Sequence, residues 1–144
     1  GDARLIVHDG EDIYCVRQFD TLKCLDPSVF FTPGDKGYLL FAKNLAGKRK
    51  AWMERVPIRI RAMLLAGNRL AVAGPPDLMD PQDPLAAFEG RKGGLLRLID
   101  TGSGKTVVER ELPSPPAFNG IAAAGGKLIV VEEDGSVSCF GRSR

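Results

Sequence analysis

The sequence predicts an all-β protein built from β-propeller blades, and three observations carry that prediction. A motif of an apolar run, a glycine-bearing polar turn and a second apolar run occurs three times. Its turn glycines Gly10, Gly67 and Gly125 lie 57 and 58 residues apart. The 17 glycines and 10 prolines fall between apolar runs, which is typical of turns in an all-β chain. About four short strands fit each period, which is typical of a propeller blade.

The strands follow in order from the apolar runs and the turns between them. Runs that are apolar throughout, such as 38–41 and 128–131, indicate strands covered on both faces. Alternating runs, such as 58–61 and 136–139, indicate strands near an edge or near solvent. The predicted strands are 5–8, 12–17, 38–42 and 51–55 in the first repeat, 59–65, 69–73, 95–100 and 106–112 in the second, and 121–124, 127–132 and 136–140 in the third.

These strands predict a single domain, a partial β-propeller of about two and three-quarter blades. The predicted blades cover about 3–56, about 58–112 and, incompletely, about 119–141. A closed propeller needs about four to eight blades. We therefore expect the ring to be completed by the remaining blades of a parent propeller, or by other copies of the chain through open blade edges. Because the chain starts at Gly1 rather than Met, we also expect a processed piece of a longer protein.

Composition excludes several classes of partner. The 144 residues include 20 basic and 18 acidic side chains, a net charge of +2, which argues against binding to nucleic acid or an anionic membrane. No apolar run approaches the ~20 residues of a membrane span. Cys15 and Cys24 could pair or remain thiols, and Cys139 would be left over. With one histidine and no Cys-x-x-Cys, a zinc site is not expected.

The segment 95–108 carries a resemblance to a known family. Its apolar strand, Asp100, Thr-Gly-Ser-Gly-Lys turn and closing strand resemble the signature of pyrroloquinoline-quinone-like (quinoprotein-type) propeller repeats. Residues 119–140 look like the opening strands of the next repeat, and 41–48 with Trp52 form a weaker copy. The resemblance implies the C-terminal segment of a propeller in the periplasm or outside the cell.

The resemblance implies two kinds of function. Some members of that family are quinone-dependent dehydrogenases, which use adjacent cysteines, a tryptophan beneath the quinone and Ca²⁺ ligands, whereas many others bind no cofactor and act as scaffolds. This sequence has no adjacent cysteines, and its one tryptophan, Trp52, falls at the structural position of the repeat. We expect a non-catalytic scaffold or interaction module with no catalytic, cofactor-binding or metal-binding residues. The alternative is a fragment of a quinone- and Ca²⁺-dependent dehydrogenase whose active site lies outside this segment.

The turn at 101–106 has a superficial likeness to a phosphate-binding loop. That loop needs a glycine five residues before Gly104, where Ile99 stands, and a helix after it. The residues that follow read as a strand, so the segment is predicted to be a hairpin turn.

The insertion at 75–93 is the best candidate for an interaction element, because long loops in compact domains often bind partners. Asp83 as N-cap and Pro84 as first helical residue predict a short helix over 83–89. Aspartates at spacing three could hold Ca²⁺, but Pro81 interrupts them and a solvated loop is preferred. Sugar or other ligand binding through this loop is a further hypothesis. The candidate interaction residues are Asp77, Asp80, Asp83, Phe88, Glu89, Arg91 and Lys92.

The remaining charged groups are expected to face solvent. His8 reads as a surface residue at a strand end rather than a general base. The most basic stretch has no interleaved aromatic residues for stacking on bases, so it reads as solvated strand faces. That stretch comprises Arg55, Arg59, Arg61 and Lys48 to Lys50, and the acidic turn comprises Glu132, Glu133 and Asp134.

Overall fold

A computed structural model describes residues 5–17, 38–47 and 52–141, and within them the chain is all-β, as predicted. Three antiparallel sheets follow one another along the chain. Sheet 1 contains β1 to β4, sheet 2 contains β5 to β8, and sheet 3 contains β9 to β11, each in sequence order. The strands are β1 Leu5–His8, β2 Asp12–Arg17, β3 Tyr38–Asn44, β4 Trp52–Val56, β5 Ala62–Ala66, β6 Arg69–Gly74, β7 Gly94–Asp100, β8 Thr106–Leu112, β9 Pro116–Ala124, β10 Lys127–Glu132 and β11 Val137–Phe140.

Most strand predictions are confirmed to within a few residues. β1, β2, β8 and β10 have the predicted bounds, and β9 begins at Pro116, five residues earlier than predicted. Proline is tolerated there because it is the first residue of the strand, opposite Glu132. The segment between β2 and β3, which contains Cys24, and Lys48 to Lys50 lie outside the described residues.

Two local predictions are wrong. Residues 83–89 form consecutive turns instead of a helix: the Ala86 amide donates to the Asp83 carbonyl at 3.0 Å and the Gly90 amide to the Ala87 carbonyl at 3.2 Å. So short a segment gains too few helical hydrogen bonds to offset nucleation. The alternating run 58–61 is not an edge strand, because it is a connection buried between sheets 1 and 2, with one bridge between Ile58 and Pro76.

Sheet 2 is covered on both faces, which explains why β6 is apolar after its first residue, Arg69. Leu70 and Val72 pack into a core shared with sheet 1, whereas Ala71 and Ala73 pack into a second core that includes Val130 of sheet 3. Successive side chains of a strand point to opposite faces, so one strand serves both cores. The first strands are also neighbours, because β5 contacts both β1 and β9.

A tryptophan joins sheet 1 to the β7–β8 turn of sheet 2. The Trp52 indole Nε1 donates to the Thr101 carbonyl at 2.7 Å. Gly104 has a φ of +74°, and a Cβ atom there would lie 2.6 Å from the indole ring. Residues 101–105 connect antiparallel strands, which confirms the predicted hairpin turn; a strand follows it, and not the helix of a phosphate-binding loop.

Two cysteines are described, and they have different environments. Cys15 is a free thiol inside sheet 1, and burial raises its pKa. Cys139 is a free thiol exposed on β11. No helix long and apolar enough to cross a membrane occurs in the described part of the chain.

Candidate functional site

The predicted interaction loop lies between β6 and β7, and most of its charged residues pair with one another. Lys92 Nζ lies 3.1 Å from Asp80 Oδ2, and Arg91 Nη2 lies 2.6 Å from Asp83 Oδ1. Arg91 also pairs with Glu89. A backbone hydrogen bond from Gln82, helped by Lys92, lowers the pKa of Asp80. Exposed pairs of this kind contribute little stability.

The three aspartates of the loop do not converge on a common point. Asp80 and Asp83 face the cations just described, while Asp77 turns inward to Arg59. Within residues 5–17, 38–47 and 52–141, no group of three or more His, Cys, Asp or Glu side chains is placed to hold a metal ion. The carboxylates of the loop are therefore engaged in ion pairs and are not gathered around one point.

Asp77 and Arg59 form a buried ion pair beneath this loop. Arg59 Nε lies 3.2 Å from Asp77 Oδ1, and the two side chains are only 6% and 1% exposed. Among the described residues, neither carboxylate oxygen nor Arg59 Nε has a hydrogen-bond partner. Burial raises the pKa of Asp77 to about 6, although the Arg59 charge acts in the opposite direction. The prediction that Arg59 lies on a solvated strand face is wrong.

A cavity of 290 Å³ opens beside this pair. The Arg59 guanidinium carbon lies 5.7 Å from the centre of the Phe88 ring, within the range of a cation–π contact. Arg61 is held by Glu133, with Nη1 2.5 Å from Oε1, and by the Phe88 carbonyl, which accepts a bond of 3.0 Å from Nη2. The cavity is lined by Tyr38, Arg59, Ile60, Arg61, Phe88, Phe118 and Glu133.

Sheets 1 and 3 and two connecting segments contribute to this cavity. Tyr38 begins β3, Phe118 lies in β9, and Glu133 follows β10, while the two arginines come from the connection between sheets 1 and 2. The Asn119 amide donates to the Arg61 carbonyl at 3.0 Å and ties that connection to sheet 3. The cavity is therefore a product of sheet packing rather than of one motif.

Sequence reasoning found part of this site. It singled out Asp77 and Phe88, but assigned Arg59 and Arg61 to solvent and did not consider Tyr38 or Phe118. One signal could have exposed the error over Arg59. Arg59 lies between Ile58 and Ile60, which are fully or almost fully buried, in a stretch too short to turn one face to water.

The predictions for the other charged residues have mixed outcomes. His8 is exposed at the end of β1, as expected. The solvent-facing prediction is wrong for Glu132, which is buried and accepts hydrogen bonds from the Ser114 amide at 2.9 Å and the Ser138 hydroxyl at 2.5 Å. It is right for Asp134, whose pKa is lowered by hydrogen bonds from the side chain and backbone of Ser136.

A second and wider cleft, of 920 Å³, lies between sheets 2 and 3. Leu98 and Val108 line it from sheet 2, and Leu128 and Phe140 line it from sheet 3. Among the described residues sheet 3 has three strands, so the fourth strand of sheet 2, β8, faces no matching strand there.

Comparison with known proteins adds no family. No protein-family model matches the sequence, and no curated protein is significantly similar to it. The resemblance to quinoprotein-type repeats therefore stays a prediction.

Proposed function

We propose that this chain is a segment of a β-propeller that acts as a non-catalytic scaffold and interaction module. One observation carries the proposal: sheet 2 is covered on both faces by its neighbours in sequence, with the first strands β1, β5 and β9 side by side. Consecutive blades of a propeller pack face to face in this way around a central channel. The three-stranded third sheet, with the wide cleft beside β8, fits a blade that takes its fourth strand from elsewhere.

The far face of sheet 3 supports an association role. Leu128, Val130 and Phe140 pack toward sheet 2, so the cross-strand partners Val131 and Val137 point away from it. Val137 is 61% exposed, and adjacent valines on an open sheet face favour packing against another sheet. In the proposed propeller, a further blade or a second copy of the chain covers this face.

Sedimentation velocity over a wide concentration range tests the proposal. We expect the wild-type chain to self-associate and Val137→Lys to weaken association at least about tenfold, or about 1.4 kcal/mol. The matched control is Val107→Lys, which adds the same charge at an exposed valine on β8 and should leave association unchanged. A wild-type chain that stays monomeric at high concentration, or equal effects of the two variants, would contradict the proposal.

The alternative function, a fragment of a quinone- and Ca²⁺-dependent dehydrogenase, depends on residues that this sequence does not contain. For this scaffold we also propose a periplasmic or extracellular location, which the quinoprotein-type resemblance implies.

A further inference from the structure

The side chain of Arg59 has unused hydrogen-bonding capacity. A guanidinium carries five N–H donors, and buried donors are almost always satisfied. No described residue accepts a hydrogen bond from Arg59 Nε, although this side chain is only 6% exposed and lines the 290 Å³ cavity. The side chain of Arg59 pairs with Asp77 and lies over the face of the Phe88 ring. Arg59 Nε is buried beside Asp77, and the Arg59 side chain also lines the 290 Å³ cavity, which a ligand can enter.

Two aromatic rings that line the same cavity are unusually exposed. Phe88 is 43% exposed and Phe118 is 64% exposed, although each is large and apolar. Arg61, fixed by Glu133 and by the Phe88 carbonyl, lies with Arg59 on the cavity wall. The site thus combines anchored guanidinium groups with aromatic walls, and such a pairing suits a ligand that is anionic at one end and apolar at the other.

Charge and volume narrow the class of ligand. The two arginines are balanced by Asp77 and Glu133 when both carboxylates are ionised, so the site has no excess positive charge to neutralise a doubly charged phosphate. A planar carboxylate matches the fork of an arginine. The cavity volume of 290 Å³ is about that of ten water molecules at ~30 Å³ each, which matches a molecule about the size of one amino acid.

We propose that this cavity binds a monocarboxylate that carries one aromatic or branched apolar arm and is about the size of a single amino acid. This proposal rests on the interaction role proposed above. The carboxylate pairs with Arg59 and Arg61, and the arm lies between Phe88 and Phe118. A free organic acid and the C-terminal residue of a peptide can both supply this carboxylate and apolar arm.

The test is a titration of the full chain with 3-phenylpropionate, read by the NMR signals of the arginine Nε–Hε groups. The neutral amide of 3-phenylpropionate is the matched probe. A tripeptide ending in phenylalanine, with a free or an amidated C-terminus, distinguishes a peptide from a free acid as the source. We expect the acid to shift the Arg59 signal and to bind at least about tenfold more tightly than the amide.

Four variants separate ligand binding from folding. Arg59→Gln and Phe88→Ala should each weaken binding of the acid at least about tenfold, and the exposed ring of Phe88 makes the second variant readable if the first does not fold. Asp77→Asn removes the anion beside Arg59 and should tighten binding of the acid severalfold. A purely structural role of the Arg59–Asp77 pair would not produce this gain. Arg97→Gln is the control: Arg97 pairs with Glu109 on the surface, and its loss should not change binding.

Two results would overturn the proposal: equal affinity for acid and amide, or no shift of the Arg59 signal at saturating acid. Neither result affects the sedimentation test, which reports on the far face of sheet 3. Failure of the titration with intact self-association removes the ligand site alone. Loss of self-association with a positive titration removes the proposed scaffold role alone.

Discussion

Replacement of Gly104 by alanine should weaken the junction between sheets 1 and 2. The new methyl group would lie 2.6 Å from Cδ2 and 2.7 Å from Cε3 of Trp52, closer than carbon atoms approach in folded proteins. The indole cannot retreat freely, because its Nε1 is held by the Thr101 carbonyl at 2.7 Å. The β7–β8 turn must therefore shift away from sheet 1, or the tryptophan must give up its hydrogen bond.

The loss in free energy of unfolding expected for Gly104→Ala has two sources. An alanine at a φ of +74° costs about 1–2 kcal/mol, because its Cβ crowds the following carbonyl in the left-handed region. Overpacking against a fixed ring adds about 1–3 kcal/mol. We expect Gly104→Ala to lower the free energy of unfolding by about 2–5 kcal/mol, a large share of the roughly 5–15 kcal/mol of a typical domain.

Urea denaturation measures this loss, and two other turn glycines serve as matched controls. Gly67 has a φ of +57° with nothing within 4 Å of a new Cβ, so Gly67→Ala should show only the backbone cost of about 1–2 kcal/mol. Gly102 does not have a positive φ, and its Cβ would make only an ordinary 3.5 Å contact, so Gly102→Ala should change stability by less than about 1 kcal/mol. Trp52 is the sole tryptophan, so its fluorescence reports directly on this junction.

The reasoning is refuted if Gly104→Ala costs no more than Gly67→Ala. It is also refuted if the Trp52 emission of folded Gly104→Ala is identical to that of the wild type. In a double-mutant cycle, Trp52→Ala should cost about 1–3 kcal/mol less in the Gly104→Ala background than in the wild type, because in that background it also relieves the clash with the new methyl group.

Three further predictions concern buried polar groups. Burial raises the pKa of Asp77 from 3.8 to about 6. The contribution of this group to stability, about 3 kcal/mol at most, is therefore fully present below pH 3.8 and is lost as the pH rises through 6. Urea denaturation at a series of pH values should show this fall in the free energy of unfolding, and Asp77→Asn should flatten it. Glu132→Ala deprives two donors of their acceptor and should cost about 1–3 kcal/mol in urea denaturation, against less than about 0.5 kcal/mol for exposed Glu111→Ala; equal losses would contradict the buried role of Glu132. Asn44→Ala removes the amide that donates to Asp12 Oδ1 at 2.5 Å inside sheet 1 and should cost about 1–3 kcal/mol; an unchanged melting temperature would show that this bond does not stabilise the sheet.

The hairpins could be predicted from the sequence because their determinants are local. Gly10, Gly67 and Gly125 all adopt positive φ, at 99°, 57° and 57°, in the turns where the repeated motif placed them. The apolar runs on either side of each turn were long enough to define strands but too short for helices. Strand order within each sheet then followed from consecutive hairpins.

The buried charges could not be predicted in this way. Arg59 and Glu132 lie next to turns or connections, where charged residues usually face water, and only the packing of one sheet on the next encloses them. The helix predicted over 83–89 failed for a related reason. Ala86 and Ala87 are only 1% exposed, so tertiary packing of a tight turn, rather than the local capping signal, determines the conformation.

The covering of both faces of sheet 2 is the central claim, and methyl NOEs test it most directly. Methyl groups of Leu70 and Val72 should show NOEs to methyl groups of sheet 1, whereas those of Leu96 and Leu98 should show NOEs to sheet 3. NOEs from both pairs to the same neighbouring sheet, or the absence of any NOE between sheets 2 and 3, would contradict the stacked arrangement on which the propeller proposal depends.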